Sequence, residues 1–231
     1  MKQYFVTGTD TGVGKTTVAC AILAAARARG LRVDAIKPVE TGCPVDEQGR
    51  MMPLDASALA RATHGDETQA RALNVYRHPL APSVAADYEG MPVDIELIEA
   101  GLQTLRRSRP DLLLMEGAGG LLVPLTDDLD MAGLARLFAL PLLVVARDGL
   151  GTINHTLLTL EVARHRSIEV AGVILSASAA GTPARDAERN ALEISRRGAA
   201  RVLGILPHQK DLAPAALARA AETSLDLAAI L

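Results

Sequence analysis

The ten residues Gly8-Thr9-Asp10-Thr11-Gly12-Val13-Gly14-Lys15-Thr16-Thr17 constrain this chain more than any other segment, because they follow an apolar β-rich run and open an Ala-rich stretch of helical period. A strand that passes through a glycine loop directly into a helix is one half of a βαβ unit. The glycines let successive backbone N–H groups turn inward around an anion, and the helix N-terminus adds its partial positive charge. Lys15 is then placed to reach β- and γ-phosphates, and Thr16 to offer a hydroxyl to Mg²⁺. The usual spacing would put the first glycine at position 9, where Thr9 stands. Here Gly8 comes one residue earlier, so the loop is a variant.

The rest of the chain repeats the pattern. Short apolar runs at residues 3–7, 32–36, 112–115, 142–146, 170–175 and 202–206 are hydrophobic nearly throughout, as strands buried on both faces should be. Residues 121–123 are a candidate for a further short strand. Between these runs, residues 15–29, 56–63, 94–108, 131–138, 153–166, 183–197 and 214–229 read as helices, the first two closed by Gly30 and Gly65. The expected architecture is therefore α/β: three layers, with a mostly parallel central sheet and helices on both faces. The 231 residues suit one domain spanning 1–231, and no internal repeat or low-complexity linker divides them. The stretches 39–53 and 74–92 are longer than ordinary connections and read as functional loops or lids.

Composition narrows the partners. Aromatic residues make up only 2% of the chain (Tyr4, Phe5, Tyr76, Tyr88, Phe138), which leaves an aliphatic core and no stacking platform for single-stranded nucleic acid. A net charge of −3 supplies no basic field for DNA or an anionic membrane, and no apolar run approaches the ~20 residues needed to span a bilayer. The two cysteines, Cys20 and Cys43, cannot build a disulfide framework, and no signal segment opens the chain, so the expected compartment is a reducing cytoplasm. The five histidines are scattered without metal-ligand spacing, and His155 reads as a packing or capping residue. Asp10, Asp34, Asp127 and Asp128 read as turn or surface acids.

Only four lysines occur in this Arg-dominated chain: Lys2, Lys15, Lys37 and Lys210. Lys2 and Lys210 look like solvated surface residues. Lys37 ends the second strand, and Glu116 ends the run Leu112-Leu113-Leu114-Met115, where a phosphate loop needs a second metal-binding carboxylate. Ligands of open α/β sheets bind outside the carboxyl ends of the strands, so Lys15, Lys37 and Glu116 are expected on one edge. Two cations and a metal around one γ-phosphate fit phosphoryl transfer, where catalysis is mostly positioning and charge stabilisation.

Together these segments resemble the dethiobiotin synthetase family of the phosphate-loop NTPase fold. The resemblance is carried by the loop from Gly8 to Thr16, by Lys37-Pro38-Val39-Glu40-Thr41-Gly42, by Glu116-Gly117-Ala118-Gly119-Gly120, and by Gly149-Leu150-Gly151-Thr152-Ile153-Asn154-His155-Thr156. It runs in order through roughly residues 1–175. It implies closure of a cyclic urea on 7,8-diaminopelargonic acid with CO2 or bicarbonate, driven by ATP and Mg²⁺. Lys15 and Lys37 would be the catalytic lysines, with Thr11, Gly12, Val13, Gly14, Lys15, Thr16 and Thr17 on the nucleotide phosphates. Thr16, Asp55 and Glu116 would hold Mg²⁺, although Asp55 fits a helix N-cap before Ala56 equally well. Substrate would meet Lys37, Thr41, Glu116, Gly117, Gly151, Thr152 and Asn154. The segment around Gly151 comes from the partner subunit in this family, so a homodimer with its substrate site at the interface is implied, and residues 79–85 match the substrate-side loop.

One departure bears on the base. The family ends the strand at 170–175 with an Asn that reads adenine, whereas this chain has Ser176, which supplies one hydrogen bond in place of an amide's paired donor and acceptor. Looser discrimination among nucleoside triphosphates is expected, with remaining base contacts from backbone groups near Leu206, Pro207 and His208. A ParA/MinD-type switch ATPase would share the fold, but that group carries a second loop lysine where Asp10 stands here. A related amide synthase would need a glutaminase domain that this length does not hold.

Overall fold

The computed structural model describes residues 1–177 and 184–231. Its strands are β1 (Lys2–Gly8), β2 (Val33–Thr41), β3 (Ala72–Tyr76), β4 (Leu112–Gly120), β5 (Leu142–Arg147), β6 (Val170–Ser176) and β7 (Val202–Leu206). They form one sheet in the order β3-β2-β4-β1-β5-β6-β7, and every pairing is parallel. The helices are α1 (Lys15–Ala28), α2 (Leu54–His64), α3 (Pro82–Glu89), α4 (Ile95–Ser108), α5 (Met131–Leu137), α6 (Thr152–His165), α7 (Ala184–Gly198), α8 (Pro214–Ser224) and α9 (Leu227–Ile230).

Alternation along each strand sends successive side chains to opposite faces and builds two cores. Tyr4, Val6, Leu112, Leu114 and Leu143 pack with α1, α2, α8 and α9. Phe5, Leu113, Met115, Leu142 and Val144 pack on the other side with α3 to α7. Both cores are mainly aliphatic, as the composition demands, and four of the five aromatic residues are buried. Among the described residues no helix is long and apolar enough to cross a membrane.

The structure departs from the sequence reading in several places. β3 is a strand that the sequence pattern does not announce: it is a short edge strand paired on one side only, and Asn74 interrupts its apolar run. Asn74 is buried there by side-chain bonds that reach Pro38 and Asp94. Much of the stretch 74–92 is α3, bracketed by Pro82 in its first turn and Gly90 at its end with φ 64°. β2 runs on to Thr41 and β4 to Gly120, so both reach further toward the site than their apolar runs. Residues 121–123 form a turn and no strand. The last helix breaks at Leu225: Asp226 N–H bonds back to Leu203 O of β7, and the Asp226 carboxylate caps α9. The expected start of α7 at Pro183 lies outside the described residues. Asp34 is buried, not a surface acid, and is held by Arg71 and His64.

Candidate active site

Register brings the catalytic candidates together. β4 lies between β1 and β2, with Val6 opposite Glu116 and Ile36 opposite Met115, so Lys37 and Glu116 come level at the carboxyl edge of the sheet. Lys37 Nζ donates to Glu116 Oε1 at 2.6 Å, to Asp55 Oδ2 at 2.8 Å and to Gly117 O at 3.4 Å. Thr16 Oγ1 donates to the same Glu116 oxygen at 2.8 Å. Glu116 is fully buried, and among the described residues its second oxygen has no hydrogen-bond partner.

The loop after β1 turns tightly. A Cβ on Gly8 would lie 2.6 Å from Asp10 O, and Gly14 has φ 95° with Ser176 Oγ only 2.5 Å from where its Cβ would stand. Both contacts restrict these positions to glycine. Lys15 Nζ reaches back over the loop to Asp10 O at 3.2 Å. Burial pushes the Lys15 ammonium below its usual pKa, and neighbouring Lys37 adds to the effect, while Glu116, Asp55 and Asp10 only partly oppose it. Burial would also lower Lys37, but Glu116 and Asp55 outweigh it by charge and hydrogen bond and hold it above the ordinary lysine range. Asp55 is held below the usual carboxylate range, because Lys37 and the Thr16 hydroxyl overcome its own desolvation. Lys37 is thereby held in its cationic form.

Lys15, Lys37 and Asp55 line a cleft of about 740 Å³ together with Thr11, Gly12, Gly14, Thr16, Thr17, Val39, Glu40, Thr41, residues 79–82, Ala118, Gly119 and Val123, whereas Glu116 and Gly117 are not part of its lining. The substrate-side loop read at 79–85 thus reaches the cleft through its first four residues. The Val13 side chain is in the core, which leaves its main chain for a phosphate. Gly117 packs against the Phe5 ring beneath the cleft, and its carbonyl serves Lys37.

The base-side candidates are less complete. Ser176 is 4% exposed and its hydroxyl sits against Gly14. The Leu206 side chain is fully buried, and its carbonyl already accepts from Ala177 N–H. The Pro207 carbonyl accepts from the Gln209 amide, and Pro207 and His208 are exposed. Gly151, Thr152 and Asn154 lie at the N-terminus of α6 and do not line the cleft of their own chain. His155 is exposed there and no side-chain hydrogen bond caps the start of α6, so neither the packing nor the capping role is seen.

Glu40 is the residue that sequence reasoning missed. α2 has Pro53 at its N-cap and no local side-chain cap, and Asp55 does not cap it because its carboxylate is turned to Lys37. Instead both Glu40 oxygens accept from the first turn, from Asp55 N–H at 2.8 Å and Ala56 N–H at 3.0 Å. Burial raises the Glu40 pKa against these two bonds. A helix start without a local cap hinted at a distant one, but no spacing rule points 15 residues back.

Among the described residues no three His, Cys, Asp or Glu side chains gather as a metal site. The hydroxyl and two carboxylates of Thr16, Asp55 and Glu116 are nevertheless a hard-oxygen set of the kind Mg²⁺ takes, and the unpartnered Glu116 oxygen is a free donor within it.

Comparison with known proteins places the chain in a family. A family profile described as an AAA domain matches residues 2–216. Among solved structures, the MinD cell division protein of Aquifex aeolicus superimposes with a TM-score of 0.54 over 95% of this chain and 87% of that one, at 18% identity. The 54 kDa signal recognition particle protein of Aeropyrum pernix, bound to GDP, gives 0.57 over 96% of this chain and 46% of its own, at 17% identity. Both likenesses concern the fold. Among curated proteins, the ATP-dependent dethiobiotin synthetase of Anaeromyxobacter dehalogenans is 43% identical over 92% of this chain and 93% of its own length. That of Thermodesulfovibrio yellowstonii is 38% identical over 99% and 98%. With such identity over nearly all of both lengths, this chain belongs to the ATP-dependent dethiobiotin synthetase family.

Proposed function

We propose that this chain converts 7,8-diaminopelargonic acid, CO2 and ATP to dethiobiotin, ADP and phosphate in the cytoplasm, as a Mg²⁺-dependent homodimer. ATP dependence and the dethiobiotin-forming ligase reaction of biotin biosynthesis come with the family. The observation that carries the finer reading is the placement of Lys15 and Lys37 on one cleft, with Lys37 anchored between Glu116 and Asp55.

One substrate amine adds to CO2, giving a carbamate and a proton. A carbamate oxygen attacks the γ-phosphorus of ATP and ADP departs, which leaves a carbamic-phosphoric anhydride. The second amine then attacks the anhydride carbon, phosphate leaves and the urea ring closes. Lys15 neutralises the β- and γ-phosphates, while the loop N–H groups around Gly12 to Thr17 hold the chain of phosphates. Lys37 holds carbamate and γ-phosphate together and stabilises charge as it develops between them. Thr16, Asp55 and Glu116 would hold Mg²⁺, which when bound neutralises phosphate charge. Thr41 and residues 79–82 form the substrate side of the cleft.

The homodimer is supported by apolar exposure beside α6. Leu150 is fully exposed, Leu122, Leu137 and Leu158 are each 57% exposed, and Leu122 lines hollows shared with Leu137 on one side and Val162 on the other. The two thiols are free, in keeping with a reducing compartment.

Incubation with diaminopelargonate, labelled bicarbonate, Mg²⁺ and ATP tests the reading, with acid-stable label expected in a cyclic urea. Phosphate release without fixed label, or only after a protein partner is added, would instead be the behaviour of a switch ATPase.

A further inference from the structure

We infer that Glu40 is a positioning residue for the phosphoryl-transfer site: it caps α2 from the neighbouring strand and thereby sets Asp55 against Lys37. The inference rests on the reading in which Lys37 and Asp55 serve that transfer.

The first turn of a helix leaves backbone N–H groups without partners, and a side chain at the N-cap normally takes one of them. Pro53 occupies the N-cap of α2 and offers no such side chain. Glu40, 6% exposed near the end of β2, takes two of those groups at once, those of Asp55 and Ala56. Asp55 is thus gripped from both directions. Its N–H is bound by Glu40 Oε1 at 2.8 Å, and its carboxylate meets Lys37 Nζ at 2.8 Å.

Lys37 and Glu40 stand on the same strand, three residues apart, so β2 carries both the lysine and the group that places the lysine's partner. An anionic carboxylate there also opposes the positive end of the α2 dipole. Without Glu40 the first turn loses two buried acceptors and Asp55 loses its fixed origin, while Lys37 keeps its bond to Glu116.

Glu40→Gln tests this, because the amide keeps one acceptor but turns a donor toward a backbone N–H. The expected result is a fall in kcat of ~10- to 100-fold, the scale for losing a group that orients a ligating residue, with KM for ATP changed far less. Pro53→Ser, which supplies a local cap able to bind the N–H of Asp55 or Ala56, should restore most of the lost kcat in the Glu40→Gln protein. In an Asp55→Asn background, Glu40→Gln should lower kcat little further, although the melting temperature still falls.

An unchanged kcat in Glu40→Gln overturns the inference. So does a loss that Pro53→Ser leaves unrescued, or that persists in full beside Asp55→Asn, since Glu40 would then act on the reactants itself or on the fold at large. A wild-type enzyme that makes no cyclic urea would defeat the underlying reaction assignment instead, and is read in the same assay before any variant is compared.

Discussion

Lys37 Nζ and Glu116 Oε1 are 2.6 Å apart at positions where the two residues are 2% and 0% exposed, making a buried ion pair under the phosphate loop. Removing one member of such a pair leaves the other charge uncompensated. Lys37→Ala should therefore lose stability by about 3–5 kcal/mol, measured by denaturant unfolding. It should also lower kcat by ~10²-fold or more, the scale for losing one transition-state charge stabiliser. An effect confined to KM would mean that Lys37 only binds.

Gly14 is held at φ 95° directly over the Ser176 hydroxyl. Gly14→Ala must accept a left-handed backbone, at a cost of about 1–2 kcal/mol, and a side-chain clash as well. Calorimetry should show much weaker binding of a non-hydrolysable ATP analogue together with a lower melting temperature. Unaltered affinity would show that the loop can relax around the methyl group.

Ser176 packs its one hydroxyl against that loop and offers no amide to a base. The expected result is kcat/KM within about an order of magnitude for ATP, GTP and CTP under identical conditions, since an unread base edge forgoes the ~1–3 kcal/mol of an unmet hydrogen-bonding group. A strong ATP preference would show that other groups read the base.

The loop carrying residues 79–82 is tied down by Glu89, which accepts from the His78 N–H at 2.9 Å and meets its ring Nδ1 at 2.8 Å. Burial alone would raise the Glu89 pKa, but these bonds and the Arg77 N–H outweigh it and hold it below the usual value. The folded pKa thus lies under the unfolded one of about 4.3. The stabilisation is present above that value and is lost as pH falls through the folded pKa. In melting scans against pH, the advantage of wild type over Glu89→Gln should shrink below about pH 4. An advantage that grows in acid would contradict this sign.

Leu158 is 57% exposed on the face of α6 proposed to meet a second subunit. Leu158→Arg should shift the protein from dimer to monomer by light scattering, abolish synthesis and leave ADP binding intact, because the phosphate loop lies within one chain. A variant that stays dimeric would move the interface elsewhere.

Much of this architecture was legible because its signals are local. The apolar runs mark six of the seven strands, and Gly8 to Thr17 marks the phosphate loop through residues adjacent in sequence. Pro82 and Gly90 bracket α3 in the same way, a start-and-stop signal present in the sequence but not read there. Asn74 is a different case: its polarity argues against a strand until the partners that bury it, Pro38 and Asp94, are known. Ser176 at the end of β6 was visible as a departure, whereas its seat against Gly14 was not.

The sequence by itself determined which groups could do the chemistry: a lysine and two threonines at a helix start, a lysine directly after one apolar run and a glutamate directly after another. Tertiary structure alone decided their assembly. Lys37 and Glu116 are 79 residues apart and become neighbours only because β4 pairs in register beside β2. Asp55 joins them because Glu40, 15 residues earlier, supplies the cap that its own helix lacks. Strand order and burial follow from packing two apolar faces of the whole sheet at once, and no local pattern in the chain encodes that choice.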